Sequence, residues 1–92
     1  MIVKIFTLKK GLRKLEDVSA IRIKSKDYNL LILKDYIAIM GRITGEFSIE
    51  VNDDIIEYKN VDAYYVNSNN EFNVIIDGEQ LCLMNSYMKW LD

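Results

Sequence analysis

Histidine and proline are missing from this 92-residue chain, and cysteine occurs once, at Cys82. Without histidine, the commonest general base and the commonest metal ligand are gone. A single cysteine forbids an internal disulfide, so nothing points to an oxidising compartment and a cytoplasmic protein is expected. Cys82 lies in an apolar run with no basic residue near it in sequence, which predicts a buried, unreactive thiol. No apolar run approaches the roughly 20 residues that a bilayer-crossing helix needs, so no membrane insertion is expected. The opening residues Met1 to Phe6 are too short an apolar stretch for a signal peptide and lead to no small-residue cleavage site; they read as a first strand. Glycine is scarce too. Gly41 and Gly45 flank Arg42-Ile43-Thr44 rather than opening a helix, so no phosphate-binding loop is present. No nucleophile–base pair and no metal set can be assembled from these residue types, so neither an enzyme nor a cofactor is expected.

What is present is enough apolar material for one core. Half of the residues are apolar and 28% are charged, well mixed, which is not the composition of a disordered chain. The length suits a single domain spanning 1–92. The net charge of −2 conceals an asymmetry. Residues 1–45 carry ten Lys/Arg against four acids, a balance of +6, whereas residues 46–92 carry two against ten, a balance of −8. The two halves either attract each other within one fold or present a polarised surface to a charged partner or a second copy.

The hydropathy signal has period two, in short runs separated by turn residues. Residues 2–8 read as a strand, broken by Lys9-Lys10-Gly11. In 18–25, Ile21 and Ile23 share one face, with Arg22 and Lys24 on the other. Residues 28–33 contain Leu30-Leu31-Ile32-Leu33, which predicts a strand covered on both sides. In 35–43, Ile37, Ile39 and Ile43 fit one side of an extended segment bent at Gly41. Glu46-Phe47-Ser48-Ile49-Glu50-Val51 alternates cleanly, with Phe47, Ile49 and Val51 inward and Glu46, Ser48, Glu50 and Glu57 on a solvated acidic face. Asn52-Asp53-Asp54 is a hairpin turn by residue type, without the spaced ligands of a calcium loop. Residues 55–59, 62–66 and 71–77 supply the remaining strands, with Phe72, Val74 and Ile76 on one face and Asn67-Ser68-Asn69-Asn70 as a second hairpin turn. Tyr64-Tyr65 predicts one core and one rim aromatic. The pattern indicates a mostly β chain, a single-domain β-sandwich or flattened barrel of short antiparallel strands.

The C-terminus changes character. Leu81, Met84, Met88 and Leu91 are spaced three, four and three, one stripe of a short helix within 79–91. The competing reading is a further strand through Leu81-Cys82-Leu83 with only 86–91 helical after a Ser86 cap. Together with Trp90, the stripe is a candidate protein contact, either docked on the domain's own sheet or offered to a partner. A second candidate is basic: Lys9, Lys10, Arg13 and Lys14 with Lys24 and Lys26. Such a patch could bind phosphates, but Glu16 and Asp17 follow directly and no aromatics interleave to stack on bases.

The order of the patterns carries a resemblance. Val18-Ser19-Ala20-Ile21-Arg22-Ile23, a charged turn, Leu30-Leu31-Ile32-Leu33, then Ile39 to Gly45, then two hairpins ending in Phe72-Asn73-Val74-Ile75-Ile76, resembles the N-terminal β-sandwich domain of the ATP synthase epsilon subunit over residues 2–77. The sequence departs from that family at Asp27-Tyr28-Asn29 and Asp35-Tyr36-Ile37, where the family has glycines and then a proline and a histidine. The 15 residues after Asp77 are also too few for the family's C-terminal helical hairpin. The resemblance implies a compact sandwich acting as a non-catalytic scaffold or docking module, and it assigns no contact residue. The expected function is therefore a protein-interaction or assembly module with a protein partner or self-association. The alternative is a small nucleic-acid-associated protein, of the kind mobile elements carry, using the basic N-terminal half.

Overall fold

Alternation of apolar and polar side chains builds strands that each bury one face. The computed structural model describes residues 1–79, in which seven strands occur in chain order: β1 (Ile2–Thr7), β2 (Gly11–Leu15), β3 (Val18–Ser25), β4 (Asn29–Leu33), β5 (Ile39–Val51), β6 (Asp54–Ser68) and β7 (Glu71–Glu79). They form one sheet in the order β2-β1-β7-β6-β5-β3-β4. Neighbours pair antiparallel except β1 and β7, which run parallel and join the start of the chain to its last described strand. The chain is thus mostly β, as its pattern predicts. The expected C-terminal helix falls, after Glu79, outside the described residues, as do Cys82, Leu81, Met84, Met88, Trp90 and Leu91.

The sheet folds over on itself, with β2 and β4 left as its edges. Nearly all of its buried apolar side chains join one cluster, from Val3 and Ile5 on β1 to Ile21, Ile23 and Ile32 on β3 and β4. A flat sheet would leave that face wet. The bend lies in the two longest strands. Gly45 of β5 opposes Val61 of β6, yet Phe47 opposes Tyr58, so β6 carries one extra residue there. That residue region includes Asn60 at φ 55°, and Gly45 sits at φ 150°. The bulge bends the ladder and flips the inward phase of β6 from even to odd positions. Ile56 and Tyr58 face inward before it, and Val61, Ala63, Tyr65 and Asn67 after it. Two leaves result. The first comprises β2, β1, β7, residues 61–68 of β6 and 39–45 of β5. The second comprises β4, β3, residues 46–51 of β5 and 54–60 of β6. Met1 and Val18 tie the leaves by reciprocal backbone hydrogen bonds of 3.0 Å, the α-amino group donating in one of them.

Turn chemistry follows the residues. Asn52-Asp53 and Asn69-Asn70 all have positive φ, as two-residue hairpins of the I′ kind require, and Asn and Asp tolerate that region best. Inside, Phe47 stacks on Tyr58 at 5.0 Å and Tyr65 on Phe72 at 5.3 Å between centroids. Phe47, Ile49, Phe72, Val74, Ile76, Ile21 and Ile23 are buried as expected, and Val51 is half-buried.

Four expectations need correction. β2 was not foreseen, because Leu12-Arg13-Lys14 has no apolar alternation. β4 is not covered on both sides by the described residues: it is an edge strand, with Leu31 and Leu33 exposed. Ile37 is exposed in a loop rather than aligned with Ile39 and Ile43. Residues 55–59 and 62–66 are one continuous strand, since the bulge bends the chain without ending its pairing.

Candidate protein-contact face

The outward side chains of the first leaf are unusually apolar. Pairing registers align Leu12 with Phe6, Phe6 with Ile75, Ile75 with Tyr64, and Tyr64 with Arg42. One row of the ladder therefore carries Leu12, Phe6, Ile75 and Tyr64 side by side, each between 41% and 63% exposed. The neighbouring row runs Lys14, Lys4, Asn73, Val66 and Met40, and adds two more exposed apolar groups at its β5 end. Strands are spaced about 4.8 Å, so the apolar row spans roughly 14 Å from β2 to β6. Scattered exposed hydrophobes are ordinary, but adjacent ones on a sheet surface mark a contact site.

Four of the charges bordering this face pair with each other. Lys4 Nζ lies 3.0 Å from Glu71 Oε2. Arg42 donates through Nε and Nη2 to both carboxylate oxygens of Asp62, each at 2.9 Å, and its guanidinium lies 5.6 Å from the Tyr64 ring centre. The hydrogen bond from Arg42 holds the Asp62 carboxyl below the usual carboxylate range, and that from Lys4 does the same for Glu71. Exposed pairs of this kind add little stability. Their effect here is to neutralise the rim. Beneath it, burial first and then the 3.1 Å hydroxyl contact with Tyr28 push the Tyr65 phenol above its ordinary value. Tyr28 Oη in turn donates to the Arg42 carbonyl at 2.7 Å.

The second leaf contrasts with this. Its outward residues include Arg22, Lys24, Glu46, Ser48, Glu50 and Glu57. Arg22 approaches Glu50 at 3.8 Å, and Lys24 is paired in register with Glu46. A depression of about 180 Å³ lies there, lined by Arg22, Lys24, Glu46, Phe47, Ser48, Ile55 and Glu57. That is below the roughly 300–1,000 Å³ of small-molecule sites, and the wider grooves beside Lys24-Ser25-Lys26 and Leu30-Leu31 are open to solvent. Among the described residues, no group of three His, Cys, Asp or Glu side chains is placed to hold a metal ion.

The basic candidates do not gather into one patch. Lys9 and Lys10 occupy the β1–β2 turn. Arg13 donates to the Tyr58 hydroxyl at 3.2 Å, and Lys14 lies 3.4 Å from Glu16. Lys24 and Lys26 stand at the end of β3, on the other leaf. The apolar row was missed in the sequence because Phe6 and Ile75 sit at outward positions of strands whose inward positions are also apolar. Their signal was available: an apolar residue out of phase in Ile5-Phe6-Thr7 and in Val74-Ile75-Ile76.

No family model matches the sequence, and no curated protein matches it. Solved structures do match. One is a chain of the cryo-EM structure of the Tetrahymena thermophila mitochondrial ATP synthase, central stalk and c-ring, with a TM-score of 0.68 and 16% sequence identity. The fold resembles that of an ATP synthase chain. The match covers 85% of this chain and 63% of the other, so this chain spans less than two thirds of that neighbour's length. At this identity the likeness is one of fold.

Proposed function

We propose that this protein is a non-catalytic docking or assembly module, an epsilon-subunit-like sandwich that binds a protein partner in the cytoplasm through the outward face of its first leaf. One observation carries this reading: the contiguous exposed row Leu12-Phe6-Ile75-Tyr64, flanked by Val66 and Met40. An apolar face with Lys4, Glu71, Arg42 and Asp62 paired at its border suits a protein surface, where charges are depleted at the centre. It does not suit nucleic acid, which recruits unpaired Lys and Arg to phosphates. The shared fold with an ATP synthase chain supports a module that works by contact within an assembly, although fold alone does not assign function.

The test uses a photo-crosslinking residue placed at Ile75 in the native cellular background, with the same residue at Ser48 on the charged leaf as control. A discrete crosslinked protein is expected from position 75 and not from 48, and Phe6→Lys should abolish it. Equal crosslinking from both positions, or none from position 75, would overturn the proposal.

A further inference from the structure

The two edges of the sheet are built differently. The β2 edge carries Arg13 and Lys14 at its middle, the usual guard against edge-to-edge pairing. The β4 edge, Asn29-Leu30-Leu31-Ile32-Leu33, has no charge, no proline and no bulge.

Its free backbone groups can be assigned. Ser25 N donates to Tyr28 O at 2.9 Å and closes the β3–β4 hairpin. Antiparallel ladders alternate bonded and non-bonded pairs. Hence Leu30, opposite Ile23, and Ile32, opposite Ile21, spend their N–H and C=O groups on β3. Asn29, Leu31 and Leu33 point theirs away from the sheet. Among the described residues, only the Leu33 carbonyl has another partner, the Tyr36 N–H at 3.2 Å, and a carbonyl accepts two bonds.

We infer that β4 pairs with β4 of a second copy, antiparallel about a two-fold axis at Leu31, to join two sheets edge to edge. This register makes Leu31 bond reciprocally to its symmetry mate and sets Asn29 opposite Leu33 on either side. All the outward-pointing backbone groups are then used. On the outer face Leu31 meets Leu31; on the inner face Leu30 meets Ile32 and continues the core across the junction. No charged pair within the strands opposes this. The same operation on β2 would place Arg13 against Arg13, and like charges directly opposite are destabilising. Self-complementarity favours a second copy over an unrelated strand, because an isologous contact needs one surface only. A five-residue junction is smaller than the roughly 1,200–2,000 Å² of stable complexes, so the dimer is weak and concentration-dependent. This surface is separate from the apolar face of the first leaf.

The test is sedimentation velocity on the full chain from about 10 μM to 1 mM, the range of weak association. The wild type should move from monomer toward twice the mass. Leu31→Lys and Leu31→Glu, each alone, should remain monomeric with an unchanged melting temperature, since the position is exposed. Their equimolar mixture should regain the dimer, because the two side chains face each other across the axis. In parallel, hydrogen exchange at the Leu31 amide of the wild type should slow as concentration rises, a readout that needs no variant. A wild type that stays monomeric, single variants that still dimerise, or an exchange rate independent of concentration would each overturn the inference.

Discussion

The two leaves bury the same kind of interior and show different exteriors. Inward, both present mostly Ile, Val and aromatic side chains, alternating except where a bulge shifts the phase. Outward, the second leaf interleaves Arg22, Lys24, Glu46, Glu50 and Glu57 with the exposed Leu31, Leu33 and Ile55, whereas the first lines up Leu12, Phe6, Ile75 and Tyr64 in one row. Folding needs only the inward set, so the outward set is free to record other demands. A charged, mixed exterior keeps a leaf solvated. An apolar one costs solubility and is explained by contact with something else. The first half of the chain is basic and the second acidic, and pairing offsets part of that polarity: Lys4 meets Glu71, Arg42 meets Asp62 and Arg22 approaches Glu50. Each joins an N-terminal cation to a C-terminal anion. The attraction between the halves is therefore at least partly internal.

The largest expected effect comes from breaking the interior that both leaves share. Phe47 is 1% exposed and stacks on Tyr58. Truncating a buried Phe to Ala removes its transfer free energy and leaves a cavity, at about 3–5 kcal/mol. Phe47→Ala should approach or exceed half the stability of a domain this small. Urea unfolding followed by far-UV circular dichroism measures it. A loss under 1 kcal/mol would mean that the two leaves do not share one core.

Next comes the seam between them. A Cβ on Gly45 would lie 2.5 Å from the Lys24 carbonyl oxygen, in a backbone region that side chains disfavour. Gly11 is also at positive φ, 72°, but nothing lies within 4 Å of its place for a Cβ. Gly45→Ala should therefore cost about 2–4 kcal/mol from strain and overpacking together, and Gly11→Ala about 1–2 from the backbone alone. Paired thermal melts decide the order. Equal losses would show that the bend tolerates a side chain and that the leaves are not fixed at Gly45.

Much of the fold was legible because alternation reports burial directly. β3 and the inward faces of β5 and β7 follow from Ile21/Ile23, Phe47/Ile49 and Phe72/Val74/Ile76. Turns were legible where Asn and Asp adopt positive φ, as at Asn52-Asp53. Edge strands were not. β2 has too little apolar content to declare itself, and β4 has so much that it mimics a central strand. Both errors share a cause: an edge strand's pattern reflects what it must avoid or attract, not what it buries. The candidate face was illegible for a related reason. Phe6, Leu12, Ile75 and Tyr64 are far apart in sequence, and only the registers β2–β1–β7–β6 make them neighbours. The parallel β1–β7 pairing that brings Phe6 against Ile75 leaves no local mark at all.

The smallest expected effect belongs to the ion pairs that rim the apolar face. Asp62 accepts both bonds from Arg42, and its carboxyl titrates below the ordinary value as a result. A depressed folded pKa means that the unfolded chain binds the proton first. The contribution to stability is then fully present above the unfolded value, near pH 4, and is lost as pH falls through the folded one. Raising pH from 5 to 8 should leave it unchanged. Asp62→Asn should accordingly lower the melting temperature slightly at pH 7, and the difference from wild type should shrink below about pH 4 as the wild-type carboxylate protonates. High salt should shrink it as well, since the pair is exposed to solvent. The Ser48→Ala exchange on the other leaf removes no charge and should follow the wild-type curve at every pH. Were Asp62→Asn to track the wild type through the whole acid range, the rim of the first leaf would owe nothing to this pair, and its neutrality would rest on Lys4 and Glu71 alone.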